Sequence, residues 1–165
     1  MNLEEYTLAL GKIVVNLHSL EFALRMFLWN QESPHGPTNW KTEVPQLQFG
    51  QSVPVNAFTN YDSLKELIEK FNGVVQKIDP SLCVDLGVVS LRDALAHGRV
   101  SAQVPQPPMQ LIKFSKPSNG LVTVTYAEYM DEQWLQSHVT RVRSEIAKVA
   151  KAGQLMQPSK WPAET

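Results

Sequence analysis

The sequence predicts a mainly α-helical domain: an antiparallel bundle of about four long helices, with a β-hairpin inserted between the third and the last. Three observations predict it. Apolar residues recur at three- and four-residue spacing over long stretches at both ends and in the middle, the stripe of a helix that buries one side. After Gly98 the period shortens from about 3.6 to 2, and Asn119-Gly120 stands between two runs of β-formers, a strong hairpin signal. A chain of 165 residues with 43% apolar and 19% charged side chains has the composition of one soluble globular domain able to bury a core without disulfides.

The first helix is predicted from about Leu3 to Asn30, on the stripe Leu10, Ile13, Val14, Leu17, Leu20, Leu24, Phe27 and Leu28. Glu21 falls on or beside that stripe with His18 and Arg25 three and four residues away, so the three form one polar ridge. The ridge is either an intrahelical salt bridge or the border of a site. Residues 31–61 follow as a long loop with Pro34, Pro37, Pro45 and Pro54, in which Trp40, Leu47 and Phe49 can lie on the body of the protein. Ser63 and Glu66 have the spacing of a capping box, which opens a second helix whose apolar side runs from Leu64 to Ile78. Asp79 then caps a third helix with Pro80 at its first position, running to His97, with Gly98 as its C′ residue.

An extended approach, Val104 to Pro108, precedes the hairpin of Met109–Lys116 and Leu121–Tyr129, so the insertion spans 104–130. Asp131 caps the last helix, about Glu132 to Ala152, with Trp134, Leu135, Val139, Val142, Ile146 and Val149 inward and Arg141, Arg143, Lys148 and Lys151 making it basic. Gly153 is expected to end that helix, so the domain covers 1–153 and a tail with Trp161 covers 154–165.

Charge and cysteine content exclude several function classes. Residues 1–98 carry 7 Lys/Arg against 11 Asp/Glu, a net of −4, and the remainder 8 against 5, a net of +3. An overall basic field for duplex binding is thus absent, though the second half can present a local basic patch. Cys83 stands alone, which excludes an internal disulfide and a thiolate zinc site; it is expected to pack on a helix rather than act as a nucleophile. The acidic start Met1-Asn2-Leu3-Glu4-Glu5 and the lack of an apolar run near 18 residues predict a cytoplasmic protein with no membrane partner.

The candidate site is Leu91-Arg92-Asp93-Ala94-Leu95-Ala96-His97-Gly98, a helix end with an arginine, an aspartate and a histidine within six residues. Asp93 and His97, four apart, lie about 40° from each other around a helix, so a carboxylate can hold the imidazole in one tautomer. Arg92 is about 140° around and about 7.5 Å along from His97, so the two converge only if His97 leaves helical geometry, if the arginine wraps, or if a second copy supplies the missing half across a two-fold axis. The last is favoured. Arginine with histidine, without metal-ligand clusters or a glycine-rich phosphate loop, suits RNA cleavage: an acid and a base move the protons while a cation steadies the phosphate.

Arg92, four residues, then His97, with polar Asp93 directly after the arginine at the end of a helix, resembles the signature of the HEPN superfamily (higher eukaryotes and prokaryotes nucleotide-binding). The resemblance covers the helical frame; the long loop and the hairpin depart from it. It implies a metal-independent endoribonuclease without a cofactor, of the kind found in toxin–antitoxin and other defence systems, with RNA as substrate, an antitoxin as possible partner and the active site at a homodimer interface. It implies Arg92 and His97 as catalytic, Asp93 as the polar residue between them, and Glu21 as a first-helix acid near the site, with His18 and Arg25 beside it. Other members are non-catalytic nucleotide- or protein-binding modules, which is the alternative. A metal hydrolase using His18, His35, His97 and His138 is a third reading, but their scatter has no ligand spacing.

Overall fold

The structure is a computed structural model that describes residues 1–32, 47–102 and 106–156. The first part of the long loop with Trp40 and His35, Val104-Pro105, and the end of the tail with Trp161 lie outside the described residues. The elements in order are α1 (Leu3–Glu32), α2 (Leu64–Val75), a single 3-10 turn (Pro80–Leu82), α3 (Gly87–His97), β1 (Arg99–Ser101), β2 (Met109–Phe114), β3 (Val124–Met130) and α4 (Glu132–Met156). The protein is therefore mainly helical with a small antiparallel sheet. Only α1 and α4, with 30 and 25 residues, are long; α2 and α3 have 12 and 11, which corrects the expectation of about four long helices.

Local chemistry explains most boundaries. Asn2 and Glu5 cap α1 reciprocally, each side chain accepting the other's backbone N–H at 2.9 Å. The Ser63–Glu66 capping box forms as predicted, and the Asp131 carboxylate accepts the Trp134 N–H at 2.8 Å to start α4. Helix α2 stops at Val75, short of Ile78, which is exposed.

The predicted third helix is broken. Asp79 and Pro80 open only the 3-10 turn, and residues 83–86 leave helical geometry before α3 begins. Their backbone groups find tertiary partners instead. The Asn72 amide brackets Val84, accepting its N–H and donating to its carbonyl, both at 2.8 Å, and Lys148 Nζ donates to the Cys83 carbonyl at 3.1 Å. Cys83 thus sits in a bend, half-buried, and not on a helix. At the other end, Gly153 does not stop α4; it is buried inside the helix, which continues to Met156.

An 18-residue window of α1 has a mean hydropathy of 1.2, long and apolar enough by length and composition to cross a membrane, which a count of consecutive apolar residues does not register. Its inward stripe is core at Ile13, Leu17, Leu20 and Leu24, whereas Val14, expected in that stripe, is exposed. Its outer side keeps Leu8, Val15 and Phe22 exposed.

The contacts divide the chain into two units, and the boundary falls within α1 and within α4. The first comprises Met1–Ser19 and Asp85–Ile146. Its core joins Tyr6, Ile13 and Leu17 of α1 with Val88, Leu91 and Ala94 of α3, Leu111 and Met130 of the sheet, and Leu135 and Val142 of α4. Burying each of the larger aliphatic side chains contributes about 1.5–3 kcal/mol. The sheet order is β1-β2-β3, all antiparallel. Asn119 and Gly120 take φ of 51° and 76°, the left-handed pair that a two-residue hairpin turn requires. Strand β1 was not legible because three residues are too few to show alternation.

The second unit comprises Leu20–Val84 and the chain from Ala147. Phe27 and Phe71 meet edge to face at 4.8 Å within a core of Leu20, Leu24, Leu67, Ile68, Val75 and Leu82.

Candidate functional site

Helix α3 is anchored on its apolar side by Val88, Leu91 and Ala94, which leaves its last turn to project polar groups. Asp93 does not pair with His97. Its carboxylate receives Arg92 Nη1 at 3.3 Å on one oxygen and Lys113 Nζ of β2 at 3.4 Å on the other. The lysine wins because strand β2 packs beside α3 and brings its ammonium to the carboxylate, an interaction that helix spacing alone does not reveal. His97 is exposed at the end of α3, its side chain without a hydrogen bond among the described residues. Arg92 is half-buried, with its side chain 40% exposed, so its remaining donors face solvent.

Gly98 holds this end in place for a reason other than the expected left-handed cap. Its φ is −75° and ψ 174°, an extended conformation open to any residue. What requires glycine is space: a Cβ there would lie 2.3 Å from the Ala94 carbonyl oxygen and 2.9 Å from Leu111 Cδ1. The chain therefore passes from α3 into β1 in close contact with the helix it has just left, and the Gly98 N–H closes α3 on the Ala94 carbonyl at 2.7 Å.

The polar ridge of α1 has a different fate. Glu21 Oε1 accepts Arg25 Nε at 3.1 Å and Nη2 at 3.0 Å. The same guanidinium donates to the carbonyls of Ala57, Asn60 and Asp62 at 3.3, 3.2 and 2.8 Å and to Asn60 Oδ1 at 3.0 Å. Arg25 is thus a clamp on the end of the long loop. Glu32 Oε2 adds an acceptor for the Ala57 N–H at 2.9 Å, and Phe58 lies against Phe22 and Trp29. His18 is exposed and takes no part in these bonds.

A second polar cluster, on the first unit, was not singled out by sequence reasoning. Glu128 Oε2 accepts the Tyr126 hydroxyl at 3.0 Å and the Trp134 indole N–H. Burial, reinforced by the carboxylate, pushes the Tyr126 phenol up to about 12, so it stays a donor. His138 rests against the Trp134 ring at 4.4 Å, with Nδ1 buried and unpartnered. Burial, aided by Arg141, pulls its pKa below the usual histidine value. Its only legible signal was the i, i+4 spacing of Trp134 and His138 on one helix.

The described residues contain no group of three or more His, Cys, Asp or Glu side chains able to hold a metal ion. Of the four histidines considered as ligands, His35 lies outside the described residues and the other three belong to no such group. Compared with known proteins, the chain matches no family model, no curated protein and no solved structure.

Proposed function

We propose that this chain is a metal-independent endoribonuclease of HEPN type, a cytoplasmic toxin or defence component whose helical frame pairs with a second copy to complete the site. The observation that carries this reading is the end of α3, where His97 stands exposed and unpartnered among the described residues while Arg92 keeps donors toward solvent. An imidazole there can take the proton of a ribose 2′-hydroxyl or return one to the leaving 5′-oxygen. One chain supplies one such histidine, and acid and base together need two. Arg92 supplies bidentate phosphate contact, and Lys113, tied to the same Asp93, adds a second cation. Asp93 neutralises part of that charge in the free protein and orients Arg92.

The test is cleavage of single-stranded RNA by the purified protein in chelator, with 2′,3′-cyclic phosphate ends as product. His97→Ala should lower the rate by at least about 100-fold with unchanged thermal stability. A variant as active as the parent removes His97 from the chemistry.

One observation favours a second reading, a non-catalytic HEPN-like module that binds a nucleotide or a protein such as an antitoxin. Asp93 serves Arg92 and Lys113, so among the described residues no carboxylate orients the His97 imidazole. That reading predicts no turnover, with ligand affinity that depends on Arg92.

A further inference from the structure

The three-stranded sheet has two unlike sides. One carries Leu111 and Met130 into the core, together with Lys113, Tyr126 and Glu128 in the bonds described above. The opposite side is open. Register places Ser101, Gln110 and Tyr129 in one row across the strands, Arg99, Ile112 and Ala127 in the next, and Phe114 with Val124 beyond. Tyr129 is 60% exposed and Arg99 is exposed, its guanidinium 5.4 Å from the Phe114 ring centroid.

Two hollows flank Tyr129 and share Gln110. One, of about 350 Å³, is bordered by Ser101, Gln106 and Pro108; the other, of about 510 Å³, by Ala127, Asp131 and Ser137. An exposed ring beside a side-chain amide, with space on both sides, offers a nucleobase a stacking face and an edge partner. From Gln110 to Phe114 the strand covers about 13 Å, enough for a short run of nucleotides between the two aromatic rows. The cations that can meet the backbone of that occupant are Arg99 on this side and Lys116 ahead of the hairpin turn, since Lys113 is held by Asp93 on the other side. Glu128, engaged by Tyr126 and Trp134, borders the second hollow together with Asp131, so the phosphates belong on the Arg99 side of Tyr129. Strand β1 also begins two residues after His97.

We infer that the open side of the sheet is a binding platform for single-stranded RNA, with a base stacked on Tyr129, its edge read by Gln110, and the backbone held by Arg99. The platform supplies the substrate grip for the ribonuclease reading, on which its choice of RNA rests. It engages unpaired bases, because paired ones keep their faces within the duplex.

The experiment is fluorescence anisotropy with a short labelled single-stranded RNA on the full chain carrying His97→Ala, which blocks the proposed cleavage. Tyr129→Ala should weaken binding roughly ten-fold or more, Tyr129→Trp should restore it, and a duplex of the same sequence should bind more weakly. Arg99→Gln should lower the salt slope by about 0.7, the value for one phosphate contact on a single strand. Unchanged affinity in Tyr129→Ala, or no RNA binding at all, overturns the platform. Cleavage by the parent chain is scored separately: if it occurs while Tyr129→Ala binds normally, the platform fails and the ribonuclease stands, and if RNA binds through Tyr129 without any cleavage, the platform stands and the ribonuclease fails.

Discussion

Arg25 and Arg92 are both helix arginines beside an acidic residue, yet the protein uses them in opposite ways. Arg25 makes six hydrogen bonds, four of them to the loop residues Ala57, Asn60 and Asp62, and its side chain is 14% exposed. Arg92 makes one side-chain bond among the described residues, to Asp93, and is 40% exposed. A guanidinium whose donors end on backbone carbonyls closes a loop; one with donors left over can still meet a ligand. The same contrast separates the histidines, since His138 is packed on Trp134 while His97 stands in solvent.

The comparison breaks most sharply on stability. Arg25→Ala should cost about 3 kcal/mol, because it strands Glu21 and three loop carbonyls, and should lower the melting temperature by roughly 10 °C. Arg92→Ala should cost under about 1 kcal/mol, as expected of an exposed pair. Thermal unfolding of the two variants side by side checks this, and equal losses would mean that Arg92 is as structural as Arg25.

A smaller effect sharpens the role of the α3 end. Gly98→Ala should cost about 2 kcal/mol, the cost of forcing a methyl against a helix carbonyl and Leu111, and should displace His97 relative to β1. Denaturant titration gives the stability loss, and a parallel loss of RNA cleavage would tie the position of His97 to the close passage of the chain at Gly98. A stable, fully active Gly98→Ala protein would show that this passage has room to spare.

The smallest effect concerns pH and the buried histidine. His138 titrates below its ordinary value of 6.5 in the folded protein, mainly because burial disfavours its charged form. As the pH falls below 6.5, the unfolded chain takes up a proton that the folded one resists, so stability is full above that value and declines through the window beneath it. His138→Phe, which keeps an aromatic ring against Trp134, should flatten this part of the stability–pH curve. Urea midpoints between pH 5 and 8 read the difference, and identical curves for His138→Phe and the parent would remove His138 as the source.

Much of the local structure could be read from residue order because its causes are local. The Ser63–Glu66 box, the Asp131 cap, the Asn119-Gly120 turn and the inward stripes of α1 and α4 each depend on residues a few positions apart, where helix or strand geometry dictates who meets whom. The grouping of the candidate site did not follow from such spacing. Asp93 stands one helical turn from His97, yet it bonds to Lys113, twenty residues away, because β2 packs beside α3. The break at 83–86 depends on Asn72 and Lys148, and the clamp of Arg25 on carbonyls more than thirty residues distant. The sequence by itself determined the capped helix starts, the hairpin turn and that an Arg-Asp-His set ends one helix. Tertiary structure alone decided which of those polar groups satisfy one another and which stay exposed to solvent, since a charged group bonds to the nearest partner in space and chain separation does not set that distance.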